Sequence, residues 1–78
     1  MPHVIVKLYP GRTEDQKKRL ADSISKALIE SINVPDDAIS IGIEEIPKEK
    51  WDELVRTPDI LGKQITIYKY SKTSKATT

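Results

Sequence analysis

Few side chains in this sequence could do chemistry, and the one with the most specific potential is Pro2. Met-Pro is a start that aminopeptidases commonly trim, and removal of Met1 would leave the ring nitrogen of Pro2 as a free secondary amine. A proline inside a chain is a tertiary amide with no basic nitrogen, so trimming would create the site. An α-amino group titrates near about pH 8, and burial or a neighbouring cation favours its neutral form near pH 7. That is the range in which a general base works best. Arg12 follows Gly11 at a turn, where it either sits in solvent or offers a bidentate fork to a carboxylate. His3 stands next to Pro2 and is a weaker candidate for tuning it, because successive strand residues face opposite ways. Trp51 reads as a core anchor or as a pocket wall, two roles that coexist where a core borders a cleft.

Composition narrows the classes. Seventy-eight residues make one domain, expected over residues 1–70 with a flexible polar tail at 71–78. A chain this short buries only about 60% of its unfolded surface when it folds alone, so oligomerisation is the expected remedy. There is no cysteine to form a disulfide or thiolate metal site, and a single histidine leaves only scattered carboxylates, so no metal is expected. Thirteen basic against twelve acidic residues, mixed along the chain, give no footprint for nucleic acid. No apolar run approaches the about 20 residues that span a bilayer, so no membrane partner is expected and the cytoplasm is the default location.

These residues must be held by regular elements. The segment from His3 to Tyr9 is rich in β-branched residues and ends at Pro10-Gly11, which predicts a strand with Val4, Val6 and Leu8 on one face and His3, Ile5, Lys7 and Tyr9 on the other. Thr13-Glu14-Asp15-Gln16 has the spacing of a capping box. The helix it opens is expected to run to about Asn33, with an apolar stripe of Leu20, Ile24, Ala27, Leu28, Ser31 and Ile32. After Val34-Pro35-Asp36-Asp37, the alternation of Ile39, Ile41 and Ile43 predicts a second strand that ends or bulges at Glu44-Glu45. Strand, helix and strand make a right-handed βαβ unit with parallel strands. Pro47 then opens a short helix, expected to turn Trp51, Leu54 and Val55 inward and to end before Pro58. Alternation over residues 64–70 predicts a third strand, which could pair with another subunit.

With Pro2 opening the first strand, Gly11-Arg12 closing it, Glu14-Asp15-Gln16-Lys17 opening the helix and the second strand running into Glu45-Ile46-Pro47 and Trp51, the chain resembles the tautomerase superfamily. Within it, the resemblance is to 4-oxalocrotonate tautomerase and its small dimeric relatives, over about two thirds of the chain. It implies an α/β fold of α+β sandwich type, completed by oligomerisation, and a cofactor-independent keto–enol tautomerase. On this resemblance Pro2 is the general base, Arg12 engages the substrate carboxylate and Trp51 is an aromatic wall. Ser40 falls where 4-oxalocrotonate tautomerase carries a second arginine, so the implied substrate is a small monocarboxylate enol or 2-oxo acid, such as an aryl enolpyruvate. Ser40, His3 or a donor from another subunit would then meet its carbonyl oxygen. The C-terminal portion departs from the hexameric enzyme and points to a homodimer over a hexamer. The alternative on the same fold is a non-catalytic oligomer that binds a small acid or a protein.

Overall fold

A computed structural model describes residues 1–72, so most of the expected tail, residues 73–78, lies outside the described residues. The chain divides into two compact units, Met1–Glu45 and Ile46–Thr78.

The first unit is the expected βαβ element. Strand β1 (His3–Leu8) and strand β2 (Ser40–Glu45) pair in parallel, from His3 opposite Ser40 to Leu8 opposite Glu45. Unbroken register across all six positions makes Glu44-Glu45 a strand end and not a bulge. Between the strands runs helix α1 (Glu14–Ile32). Both halves of its capping box are present: the Gln16 amide donates to the Thr13 hydroxyl at 3.0 Å, and the Thr13 amide donates to Gln16 Oε1 at 2.9 Å. Its far end is closed by Asn33, whose left-handed backbone (φ 58°) lets its amide donate to the Ile29 carbonyl. Asparagine is one of the few residues with a side chain that adopts this conformation cheaply.

The helix presents a different face to the sheet from the one expected. Its half-buried positions are Lys17, Ala21, Ile24, Ser25, Leu28 and Ile29, so only Ile24 and Leu28 of the expected stripe are among them. At 3.6 residues per turn the observed face is rotated by roughly 60° from the predicted one. The cause is an apolar arc wider than one sheet can cover. Leu20, Ala27 and Ser31 on one flank, and Ile32 near the end, stay exposed within a single chain. Lys17, expected on the polar surface, lies on the covered face with its side chain only 19% exposed, and its ammonium reaches Glu14 at 3.0 Å and Glu45 of β2 at 3.5 Å. A long aliphatic stem makes that placement possible.

The second unit departs further. A 3₁₀ turn (Lys48–Lys50) follows Pro47, and a widened π-type helix continues from Asp52 to Ile60. The helix therefore runs through Pro58, where an end was expected. Proline lacks the N–H and crowds the carbonyl of an ordinary α turn, and a widened turn relieves that conflict. Val55 is buried at 5% exposure, with Ile46 beside it in burial, whereas Leu54, expected inward, is 41% exposed. A 3₁₀ turn (Leu61–Thr66) follows immediately. Gly62 permits it, because a Cβ there would stand 3.0 Å from the Thr57 carbonyl oxygen.

The third strand expected over residues 64–70 does not form within the chain. Gln64 to Thr66 belong to the 3₁₀ turn, and Ile67 to Tyr70 carry no ladder hydrogen bonds. Alternation is necessary for a half-buried strand, but a strand also needs an edge to pair with. Within this segment Ile65 at 97% and Tyr68 at 100% exposure stand in solvent in the single chain, while Ile67 and Tyr70 are half-buried. Among the described residues, no helix is long and apolar enough to cross a membrane.

Candidate active site

Pro2 lies just before the first ladder position of β1, and the ladder reaches back to hold it: the main-chain amide of Ser40 donates to the Pro2 carbonyl at 3.2 Å. The residue is half-buried. The β-branched run of β1 and the isoleucine alternation of β2 thus fix the position of Pro2 from one side.

Ser40 makes a second contact with the same end of β1. Its hydroxyl lies 2.6 Å from Nδ1 of His3, its cross-strand partner in the ladder. Both side chains are exposed. Pro2, His3 and Ser40 are therefore brought together by one feature, the register that sets the first residue of each strand side by side. The polar residues that open the two strands carried the signal for this pair, but the pairing itself needed the register.

Arg12 stands elsewhere. It follows Leu8, Tyr9, Pro10 and Gly11 at the opposite end of β1, with Gly11 at φ 124°, a conformation that residues with a Cβ rarely adopt. The six residues of β1 alone separate its two ends by roughly 17 Å at about 3.3 Å per residue. Arg12 is exposed, and among the described residues it forms no ion pair or hydrogen bond. Within one copy, Arg12 and Pro2 thus flank opposite ends of the same strand.

Nearby, the Glu14–Lys17–Glu45 cluster ties the first turn of α1 to the end of β2. The hydrogen bond from Lys17, followed by its charge, holds the Glu14 carboxyl below its ordinary range. The hydrogen bond to Glu14 raises the Lys17 ammonium above its own range, against the opposing effect of desolvation. This cluster braces the turn that carries Arg12. Trp51 belongs to the second unit, where it is half-buried at the junction between the 3₁₀ turn and the widened helix. Among the described residues, no three His, Asp or Glu side chains cluster in a way that could hold a metal ion.

A proline just before the first strand of a parallel βαβ unit, with an arginine after that strand, is the arrangement of a known class. The family model described as "Tautomerase enzyme" matches residues 2–52, and the chain belongs to that family. A "Probable tautomerase" of Xylella fastidiosa is 35% identical over 60 residues, covering 77% of this chain and 73% of the relative. A 2-hydroxymuconate tautomerase of Pseudomonas putida is 39% identical over 51 residues, 65% of this chain and 81% of the relative. Among solved structures, TomN, a 4-oxalocrotonate tautomerase homologue of the tomaymycin biosynthetic pathway, superposes with a TM-score of 0.62 at 30% identity, over 64% of this chain and 77% of that one. YwhB, another homologue of 4-oxalocrotonate tautomerase, gives 0.59 at 36% identity over 60% and 77%. The protein is accordingly 4-oxalocrotonate tautomerase-like, and in general terms a keto–enol tautomerase. The family match stops at residue 52, so most of the second unit lies beyond it.

Proposed function

We propose that this protein is a cofactor-independent tautomerase of a small monocarboxylate enol or 2-oxo acid, such as an aryl enolpyruvate, working as a cytoplasmic homodimer. Pro2, freed by removal of Met1, is the general base. Its nitrogen takes the proton of the enol hydroxyl and returns a proton to the carbon beside the new carbonyl. One O–H and one C=C are exchanged for one C=O and one C–H, with no net oxidation, so no cofactor is required. Arg12 grips the substrate carboxylate through two parallel N–H bonds, and its charge favours the neutral form of the amine. Ser40 meets the carbonyl oxygen, and Trp51 supplies an apolar wall.

The observation that carries this reading is the separation of Pro2 and Arg12 along β1. The strand between them keeps the two groups apart in one copy, whereas two copies related by a twofold axis can exchange them. An isologous interface whose twofold axis crosses the middle of β1 sets the start of one β1 near the end of its counterpart, and the pairing is reciprocal. The uncovered flank of α1 and the exposed Ile65 and Tyr68 give such an assembly apolar surface to bury.

Two inactive variants test it together. Pro2→Ala and Arg12→Ala, each checked by intact mass for loss of Met1, should separately lose most activity on phenylenolpyruvate. Mixed under exchange conditions, they should recover roughly a quarter of wild-type activity, because half of the dimers are mixed and each holds one intact site. Failure of complementation places both groups in one copy, and full activity in both single variants rejects the mechanism. Faster turnover of 2-hydroxymuconate than of phenylenolpyruvate would reject the monocarboxylate preference.

A further inference from the structure

The contact between His3 and Ser40 has a chemical consequence that depends on where the proton sits. A serine hydroxyl has one proton to donate, and an imidazole Nδ1 either carries a proton or accepts one. When Nδ1 is bare, the Ser40 O–H donates to it and only lone pairs face outward. When Nδ1 bears a proton, the ring N–H donates to Ser40 Oγ, and the hydroxyl proton is free to point at a ligand. The 2.6 Å separation is short enough for either direction.

We infer that His3 and Ser40 act as one subsite for the keto or enol oxygen of the substrate, in which a protonated His3 turns the Ser40 hydroxyl outward as the donor. This deepens the proposed function and rests on it. Ser40 touches the ligand, and His3 is a positioning residue that works through Ser40. Three observations carry the inference: the cross-strand register that locks the pair, the exposure of both side chains, and the second tie from Ser40 to the Pro2 carbonyl. The charged groups on the same face of the sheet are Lys7 of β1 and Glu44 of β2, four residues further along and roughly 13 Å away at about 3.3 Å per residue. The amino terminus lies beside His3 in the chain, and Asp36 and Asp37 occupy the 3₁₀ turn (Asp36–Ala38) before β2. None of these groups is the hydroxyl's partner in the structure, and the His3 ring is.

The chemistry sets two opposed pH trends. Protonation of His3 improves binding of the acid, while protonation of the Pro2 nitrogen removes the base. Loss of the ring proton should therefore raise KM, whereas loss of the proton from the Pro2 nitrogen raises kcat.

The test is affinity for phenylpyruvate, measured by calorimetry at about pH 5.5 and about pH 8, a range that spans ordinary imidazole titration. Wild-type protein should bind more tightly at the lower pH. His3→Phe and Ser40→Ala should each weaken that binding by about tenfold, the usual effect of losing a charge-assisted hydrogen bond, and should flatten the pH dependence. His3→Gln, whose amide N–H donates without titrating, should restore low-pH affinity and keep it at high pH. Equal affinity and pH response in wild type and His3→Phe would overturn the inference, as would a purely kcat effect of His3→Phe. Because the readout is binding, it separates this inference from the catalytic reading: tight, His3-dependent binding without turnover rejects the tautomerase mechanism alone, and turnover with His3-independent binding rejects the subsite alone.

Discussion

The two halves of the chain hold themselves together in different ways. Met1–Glu45 uses regular elements that close on each other: a six-step parallel ladder, a helix capped at both ends, and an ion cluster that ties the helix start to the strand end. Residues 46–72 form a succession of tight and widened turns around Ile46 and Val55, with large apolar residues left in solvent. The family match follows the same division, covering the first half and ending at residue 52. A ladder and a capped helix satisfy their backbone groups locally and can hold a proton-transfer site in place.

The largest effect expected from that contrast is chemical. Pro2→Ala should lower kcat by about a hundredfold or more, the usual contribution of a general base, with far-ultraviolet circular dichroism unchanged. An equal loss from a change in the second half, such as Leu54→Ser, would break the division of labour.

Next in size is the core of the second half. Val55→Ala should cost about 2 kcal/mol by chemical denaturation, because it removes buried methyl groups from a site with little other apolar support. Hydrogen exchange should quicken first over residues 46–72 and leave the β1–β2 ladder protected. Loss of protection in the ladder at the same rate would mean that the halves unfold as one.

A change at the helix start sharpens the comparison from the other side. Thr13→Ala removes one arm of the capping box and should cost about 1 kcal/mol, read as a lower denaturation midpoint. Thr13→Asp should recover most of that loss.

The smallest effect concerns the Glu14–Lys17–Glu45 cluster. The Glu14 carboxyl is held below its ordinary range, so its contribution is complete above the pH at which a free glutamate titrates and fades as pH falls through the lowered folded value. Lys17 is raised, so its share is present below the ordinary lysine range and is lost as pH rises through the raised value. Lys17→Met should remove both dependences, with a stability change smaller than that of Thr13→Ala and further reduced by salt.

Much of the first half was legible in the residues. Thr13 and Gln16 announced the helix start, Ile39, Ile41 and Ile43 announced β2, and Val4, Val6 and Leu8 announced the covered face of β1, because each signal is short-range chemistry that survives in any context. The helix face was less legible. An apolar arc running from Ala27 through Leu20 and Ile24 to Ile32 has no single centre, and the sheet chose one side of it. The third strand expected over residues 64–70 does not form within one copy for a related reason: alternation describes a face, and only a neighbouring strand makes that face a sheet.

Sequence by itself thus determined which elements form in the first half, where they begin and end, and that a proline and an arginine flank the first strand. Tertiary structure decided what those residues can reach. The parallel register sets Ser40 against both Pro2 and His3, and the length of β1 keeps Arg12 from the proline of its own copy. Local propensity is written in neighbouring residues, but a distance across the fold depends on register, and register is settled only when two distant segments pair.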